Sequence, residues 1–416
     1  MGLSSCYARS SFNLDYWTMT ILTDTFDALT PDVLRSRGSL KWTTYNDAAI
    51  GAWVAEMDLG LAPAVADEIR KAVSDGTLGY MPPTAPLQLT EALVDFMDSS
   101  YGWAPDIQDV ALLPDVLAGL RVTIEHFSRP GSAVIVPTPA YMPFLTIPSQ
   151  LGRACIEVPA LRTCPRTEPG HPAWSLDLES IEQAMKAGAG TLILCNPWNP
   201  TGRVLTSSEL DAVAALSSRY GVVVFADEIH APLVLDPSIR HIPYASRPSA
   251  DPALTISATS ASKGWNIPGL KCAQAIVSGD AKEKWQSCGI HLAQDACPLG
   301  VRATTAAYTQ GREWLHEVID YIRDNARFVT RTLNKVPGLR MCEPEGTYLG
   351  WIDCTNLPIS GSPADFFLTH AGVAMNDGIT CGSDYSRYVR LNMATGRTIE
   401  KETVERLVTS VESLMR

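Results

Sequence analysis

The middle of the chain alternates short, apolar, β-branched runs with stretches of helical periodicity. Two of these stretches, 175–188 and 206–221, are predicted helices, and the second has the capping-box spacing of Thr206 and Glu209 with a closing Gly221. Strands that are apolar on both faces are typical of parallel sheets covered by helices. The chain is therefore predicted to be an α/β protein with a mostly parallel sheet flanked by helices in three layers. The predicted strands are 132–137, 191–195, 222–226, 255–258 and 273–277.

The two ends of the chain have a different pattern from its middle. Apolar residues at helical spacing over 312–338 predict a long helix, and the sequence after it mixes strands with a closing helix. We expect 19–66 and 305–416 to form a smaller α+β domain, and 67–304 to form the large domain. A length of 416 residues is compatible with two such domains.

Composition argues against several classes of function. The formal net charge of −12 disfavours a nucleic-acid-binding face. No stretch approaches the roughly 20 apolar residues of a membrane span, and no secretory signal is recognisable. The ten cysteines include no CxxC pair, which favours reduced thiols in a cytoplasmic protein without a metal site. Residues 1–18 are expected to be a disordered extension, with Met19 as a candidate start of translation.

Polar residues that can carry chemistry follow three of the predicted strands. "CNPWNPTGR" contains Asn199, "ADEIH" places Asp227 after an apolar strand, and "SASKGWNIPGLK" contains Lys263 among small and apolar residues. Ligands of α/β sheets bind at the carboxyl ends of strands. A partly desolvated lysine there has a lowered pKa and can act as a nucleophile or a base. The structural alternatives are an ordinary Asn-Pro turn, a capping aspartate and a lysine of no special function.

A fourth feature lies upstream, in "PDVLAGLRVTIEHFSRPG" (114–131). Its small residues precede an apolar helix, whose first backbone N–H groups can bind a phosphate. This pattern alone is common among helices. It gains meaning from the order of the other three features, because asparagine, aspartate and lysine each follow a strand of their own.

The order of "NPxNPTG", "ADEIH" and "SxSK" resembles the fold-type I pyridoxal-phosphate enzymes of the class I/II aminotransferase superfamily, over the chain from about Phe26 onward. "AWVAEMD", "LGYMPP", "PTPAYMPF" and "GTYLGWID" are similar to the MalY/PatB-type C–S lyases, also called cystathionine β-lyase-like proteins. The resemblance implies pyridoxal 5'-phosphate as cofactor and a homodimer with shared active sites. The implied reaction is α,β-elimination of an S-substituted L-cysteine, a cysteine conjugate or cystathionine, to thiol, pyruvate and ammonia.

The resemblance also assigns roles to individual residues. Lys263 would bind the cofactor covalently and transfer the substrate Cα proton, and Asp227 would pair with the pyridinium nitrogen. Tyr141 would stack on the ring, and Arg390 in "YVRLNMA" would bind the substrate α-carboxylate. The other cofactor-binding residues would be Asn199 and His230 at the phenolic oxygen, Leu117, Ala118, Ser260 and Lys271 at the phosphate, and Tyr80 at the phosphate of the neighbouring subunit.

Three positions depart from the family pattern. Lys271 stands where the superfamily commonly has an arginine, and lysine is a point charge without the planar fork. Gly264 follows Lys263 where this branch usually has a hydroxyl. Trp198 stands where a polar residue is more usual, although packing explains it equally well. These departures favour an unusual substrate, such as a bulky cysteine S-conjugate.

Other functions stay open at this point. An aminotransferase, or a decarboxylating or oxidative deaminase of an S-cysteine conjugate, would use the same Lys263 and Asp227. A non-catalytic regulator that has kept the fold is the alternative from a different class. In every enzymatic case the expected partner is a small amino-acid substrate, with no nucleic acid and no membrane.

Overall fold

The computed structural model describes residues 22–46, 48–162, 173–289 and 291–415, so the predictions for 1–18 and Met19 lie outside the described residues. The strands are β1 Ile50–Gly51, β2 Val110–Leu113, β3 Val134–Thr138, β4 Cys155–Pro159, β5 Leu161–Arg162, β6 Trp174–Ser175, β7 Thr191–Cys195, β8 Val223–Asp227, β9 Thr255–Thr259, β10 Ala273–Ile276, β11 Arg340–Met341, β12 Leu349–Asp353, β13 Val373–Ala374, β14 Asn376–Asp377 and β15 Tyr388–Asn392. The helices are α1 22–27, α2 Pro31–Ser36, α3 Leu40–Thr43, α4 Pro63–Ser74, α5 Ala85–Tyr101, α6 Val116–Val122, α7 Met142–Gln150, α8 Leu178–Lys186, α9 Ser207–Tyr220, α10 Ala261–Gly264, α11 Asp280–Cys288, α12 Leu292–Asp295, α13 Pro298–Gln310, α14 Arg312–Leu333, α15 Pro363–Ala371 and α16 Arg397–Leu414.

The central sheet has seven strands in the order β2-β10-β9-β8-β7-β3-β4. The five strands from β9 to β4 are parallel to one another, which confirms the mostly parallel sheet. The expectation that 273–277 is a further parallel strand is wrong, because β10 is antiparallel to both β9 and β2. The connection from β9 to β10 contains only the four-residue helix α10 and a 3-10 turn. The crossover between two parallel strands usually contains a full α-helix packed on the face of the sheet, which this connection lacks.

Helices cover both faces of this sheet. Along β8, Val223 and Phe225 pack into one core with side chains of α6, α7 and α11, and Val224 and Ala226 pack into another with α8 and α9. Because both faces are buried, all five residues of β8 are inaccessible to solvent and the strand shows no polar alternation. The predicted three-layer α/β arrangement is confirmed.

The predicted ends of the second mid-chain helix are also confirmed. Thr206 caps α9, since its hydroxyl accepts from the N–H of Glu209 while the Glu209 carboxylate accepts from the N–H of Thr206. Gly221 follows in the left-handed region with φ 61, which ends the helix. The long helix α14 lies within the predicted segment 312–338, and α16 is the predicted closing helix. No helix among the described residues is long and apolar enough to span a bilayer.

The C-terminal third forms a second, antiparallel sheet in the order β11-β12-β15-β14. Segments from both ends of the chain meet here. β1 pairs with β13 in parallel, and Phe26 packs edge-on against Tyr321 of α14 with ring centroids 5.2 Å apart. The domain boundaries at residues 19–66, 67–304 and 305–416 stay a prediction.

Glu400, in the first turn of α16, is a buried acid that makes stability depend on pH. Neither carboxylate oxygen has a hydrogen-bond partner, and burial raises the pKa of this side chain from an ordinary value of 4.5 to about 8. The folded protein therefore binds more protons than the unfolded chain between these two values, so stability falls as pH rises through that window.

Replacing Glu400 with glutamine is expected to remove this dependence, which amounts to about 1.4 kcal/mol per pH unit inside the window. Thermal unfolding of wild type and Glu400→Gln at pH 5 and at pH 8.5 is the measurement. We expect the variant to gain on wild type as pH rises, and an equal pH response of the two proteins would contradict the prediction.

Candidate active site

The three loops with the predicted catalytic residues follow the neighbouring strands β7, β8 and β9, whose carboxyl ends lie side by side. In the sheet register, Cys195 at the end of β7 lies beside Asp227 at the end of β8, and Asp227 lies beside Ala258 of β9. The loop with Asn199, the turn after Asp227 and helix α10 with Lys263 therefore begin side by side. This is the carboxyl edge of the sheet, where α/β proteins bind ligands.

The antiparallel strand β10 brings the predicted phosphate-binding residues to the same edge. Ala273 lies beside Leu113, the last residue of β2, so Lys271 comes close to the start of α6. Ser260 is tied to the same region, because its hydroxyl donates to the carbonyl of Cys272 at 2.7 Å. Leu117 and Ala118 of α6 are half-buried here, so the structure brings all four predicted phosphate residues together.

Asp227 is buried and has no cationic partner among the described side chains within ion-pair distance. Its carboxylate accepts a hydrogen bond from the N–H of Ile229 at 3.0 Å. Burial raises the pKa of Asp227 to about 7, although the Ile229 N–H and the Lys263 ammonium lower it in part. A cation beside this carboxylate would favour its ionised form, as a protonated ring nitrogen would.

Lys263 lies in α10, which is capped by the hydroxyl of Ser260. Its Nζ donates to the carbonyl of Ala55 at 2.8 Å. Burial, with the nearby Arg390 charge, lowers the pKa of Lys263 to about 8. An amine with such a pKa is available as a nucleophile and as a base near neutral pH.

Arg390 in β15 is 2% exposed and has no carboxylate partner among the described residues. Its Nη1 donates to Oδ1 of Asn199 at 3.2 Å, and its Nη2 donates to Oδ1 of Asn376 at 2.6 Å and to the carbonyl of Trp53 at 3.2 Å. Its Nε has no partner, and burial lowers the pKa of Arg390. Because an unpaired buried charge is costly, this guanidinium is suited to a carboxylate from a ligand.

His230 and Tyr141 are the other two buried or half-buried polar residues predicted to contact the cofactor ring. His230 is buried with Nδ1 unpartnered, and burial together with the charges of Lys263 and Arg390 lowers its pKa to about 3. The imidazole is therefore neutral and free to hydrogen-bond a ligand. Tyr141 precedes α7 and lies edge-on to Phe144, and burial raises its pKa so that its hydroxyl stays protonated.

An acidic residue that was not predicted lies beside the predicted phosphate-binding residues. Asp115 caps α6 by accepting from the N–H of Ala118 at 2.9 Å, and it forms an ion pair with Lys271 at 2.9 Å. Both side chains of this ion pair are exposed. A phosphate bound here would interact with Lys271 and with the N–H of Ala118, the two groups that Asp115 also contacts.

Two of the unusual positions are explained by packing. The buried indole of Trp198 donates to the carbonyl of Pro139 at 2.8 Å, so it joins the loop after β7 to the loop that carries Tyr141. A Cβ on Gly264 would lie 3.1 Å from the Cβ of Pro232. A side chain there would contact Pro232, which gives the glycine a packing explanation.

The segment 53–58 was recognised only as a family motif, yet it touches several site residues. The carbonyl of Ala55 accepts from both Lys263 and the hydroxyl of Tyr348, the latter at 2.9 Å. The buried Asp58 anchors the segment through an ion pair with Lys41 at 2.8 Å. A buried Lys-Asp pair has no signature in the sequence, because the two residues are 17 positions apart.

Tyr80 is the predicted site residue that the structure does not bring to the others. Its side chain is fully exposed, on the loop before α5. Its role toward a neighbouring subunit stays a prediction.

The arrangement fits the cofactor that the resemblance implies. Pyridoxal phosphate offers an aldehyde, a ring nitrogen, a phenolic oxygen and a phosphate. The described residues present a buried amine, an unpaired buried carboxylate, an unpartnered imidazole nitrogen, and Lys271 with the start of α6. No cluster of metal-ligating side chains occurs among the described residues.

Comparisons with known proteins agree with this geometry. The family model "Aminotransferase class I and II" matches residues 54–411. A cystathionine β-lyase of Corynebacterium glutamicum is 36% identical over 90% of this chain and 97% of its own, and cystathionine β-lyase PatB of Bacillus subtilis is 29% identical over 85% and 92%. A crystal structure from Corynebacterium diphtheriae, described as a candidate PLP-dependent β-cystathionase, is 36% identical and superposes with a TM-score of 0.85 over 92% of this chain and 98% of that one.

Proposed function

The chain belongs to the class I and II aminotransferase family, and from that premise we propose that it is a pyridoxal-phosphate-dependent C–S β-lyase acting on an S-substituted L-cysteine. The observation that carries the proposal is a set of three buried groups without partners of opposite charge among the described side chains. Lys263 and Asp227 lie at the carboxyl edge of the central sheet, and Arg390 of β15 contacts Asn199 of the loop after β7. Relatives named cystathionine β-lyase, aligned over nearly the whole chain, support the reaction type.

When bound, pyridoxal phosphate supplies an electron sink for the electron pair left at the substrate Cα. Asp227 would hold a proton on the ring nitrogen, which would require the ionised carboxylate. Asn199 and the neutral His230 would hydrogen-bond the phenolic oxygen. Leu117, Ala118, Ser260 and Lys271 would hold the phosphate, and Tyr141 would lie on the ring face.

Arg390 binds the substrate carboxylate and fixes Cα within reach of Lys263. The amine of Lys263, whose pKa is lowered to about 8, removes the Cα proton. The Cα electron pair then forms the Cα–Cβ double bond, and the Cβ–S bond breaks with both electrons on sulfur. Lys263 returns its proton to the thiolate, and water converts the three-carbon remainder to pyruvate and ammonia.

A panel of substrates tests this proposal. Cystathionine and a series of S-alkyl and S-aryl cysteines are incubated with the holoenzyme, and pyruvate, ammonia and free thiol are measured. Equal amounts of the three products support the lyase. A requirement for a 2-oxo acid would show an aminotransferase, carbon dioxide or an aldehyde would show decarboxylation or oxidative deamination, and no turnover of any conjugate would contradict the proposal. The preferred conjugate, and a cytoplasmic location, stay predictions.

We also propose a homodimer in which Tyr80 reaches the partner's cofactor phosphate. Exposed apolar side chains close to this residue in the sequence support the proposal, since Val73, Leu78 and Leu87 are each more than half exposed in the single chain. Burying such side chains is typical of an interface.

Tyr80→Phe is expected to raise the dissociation constant for pyridoxal phosphate about tenfold, because a hydrogen bond to a charged group contributes on the order of 1.5 kcal/mol. Cofactor titration by absorbance is the measurement, and light scattering checks that the variant stays dimeric. A monomeric wild type, or unchanged affinity in the variant, would refute this arrangement.

A further inference from the structure

Among the described residues, the hydrogen-bond acceptors of the buried Arg390 guanidinium are all neutral. Three are oxygens, on the side chains of Asn199 and Asn376 and on the backbone of Trp53, and the fourth is Sδ of Met142 at 3.8 Å. Because a guanidinium only donates hydrogen bonds, each amide must turn its oxygen toward it. These contacts hold the side chain without neutralising its charge.

Asn376 makes the shortest of these contacts, at 2.6 Å. It lies in β14 directly opposite Arg390 of β15 in an antiparallel pair. Residues opposite each other in such a pair have their side chains on the same face of the sheet. Asn376 is therefore the neighbour best placed to set the direction of the guanidinium.

We propose that Asn376 is a specificity-determining residue, which positions Arg390 while leaving its charge available to the α-carboxylate of the substrate. This inference deepens the proposed function and rests on the role of Arg390 in it. The chemical class selected is an amino acid with a free α-carboxylate, in preference to neutral analogues such as amino-acid amides.

The alternative is that Asn376 is only a hydrogen-bond acceptor that keeps the strand pair in order. The two explanations differ in what they expect of Asn376→Asp. An aspartate keeps the acceptor and is almost the same size, so a purely structural role tolerates it. The new carboxylate forms a salt bridge with Arg390. If the charge of Arg390 must stay free to bind the substrate, this carboxylate competes with the α-carboxylate of the substrate.

The experiment uses the holoenzyme and two ligands without a leaving group, L-alanine and L-alaninamide. Binding is followed through the visible absorption of the cofactor, for wild type, Asn376→Asp and the matched variant Asn376→Ala. For Asn376→Asp we expect the dissociation constant for L-alanine to rise about tenfold or more, while that for L-alaninamide changes less than about twofold. The melting temperature of Asn376→Asp should be no lower than that of wild type, because the buried charge is then paired.

Asn376→Ala is expected to weaken L-alanine binding less than Asn376→Asp does, because it leaves the charge free but less well oriented. The inference is overturned if Asn376→Asp binds L-alanine as wild type does, if both ligands weaken equally, or if wild type shows no saturable binding of L-alanine. These readouts need no C–S cleavage. The binding measurements can therefore succeed even if the lyase assay fails, and the lyase assay can succeed even if the binding measurements contradict the inference.

Discussion

Replacing Lys263 with alanine is expected to lower the rate of pyruvate and thiol release by about 10⁴-fold or more. The substitution removes the amine that is proposed both to bind the cofactor covalently and to carry the Cα proton. Lys271, eight positions on, does not replace this amine, because it is exposed and paired with Asp115. The measurement is the steady-state rate with the best conjugate of the panel.

A chemical readout separates loss of the amine from loss of the fold. Borohydride treatment of wild-type holoenzyme should attach the cofactor to the peptide that contains Lys263, as seen by mass spectrometry, and the variant should show no such adduct. Lys186→Ala is the matched control, because Lys186 lies on the surface of α8 and pairs only with Glu182. Residual activity of Lys263→Ala close to that of this control would refute the assignment.

Replacing Asp227 with asparagine is expected to lower the same rate on the order of 10³-fold, the size of effect seen when a preorganised electrostatic contact is removed. The amide oxygen can still accept from the N–H of Ile229, so the turn is preserved. What is lost is the negative charge that keeps the ring nitrogen protonated. The rate is measured at saturating cofactor, so that weaker binding is not mistaken for a slower reaction.

The same change should stabilise the cofactor-free protein. The pKa of Asp227 rises from an ordinary value of 3.8 to about 7 on folding, so the charged side chain costs stability as pH rises through that window. Asparagine has no charge to bury. At pH 8 the cofactor-free variant should therefore melt above wild type. The surface variant Asp211→Asn is the control for a lost carboxylate, and a lower melting temperature for Asp227→Asn would contradict this prediction.

The sequence predicted the elements that local patterns specify. The apolar runs predicted five of the seven strands of the central sheet, all except β2 and β4. Thr206 with Glu209 and Gly221 predicted the bounds of α9. It could not give the direction of β10, because burial on both faces makes an antiparallel strand look like a parallel one. That direction depends on whether the preceding connection contains a full crossover helix, which the apolar pattern of β10 does not record.

In the site too, residues marked by their sequence neighbours could be predicted, and residues marked only by contacts far along the chain could not. Lys263 and Asp227 could be placed because each follows its own strand, and strand ends meet at one edge. Asp115 and Asn376 were missed because their importance comes from the residues they touch, Lys271 and Arg390, which are far along the chain. The unusual Trp198 looked like a clue to the substrate, but its indole is bonded to Pro139 and packed in the core.

The long sequence separation of the contacts around segment 53–58 has a consequence for biosynthesis. Trp53 and Arg390 are 337 positions apart, and Ala55 and Lys263 are 208 apart. On the ribosome, the early segment is made long before its partners, while the central sheet can assemble as its strands emerge. The contacts of Arg390 can form only after β15 has left the exit tunnel, so a nascent or truncated chain that lacks this strand also lacks the guanidinium proposed to bind the substrate.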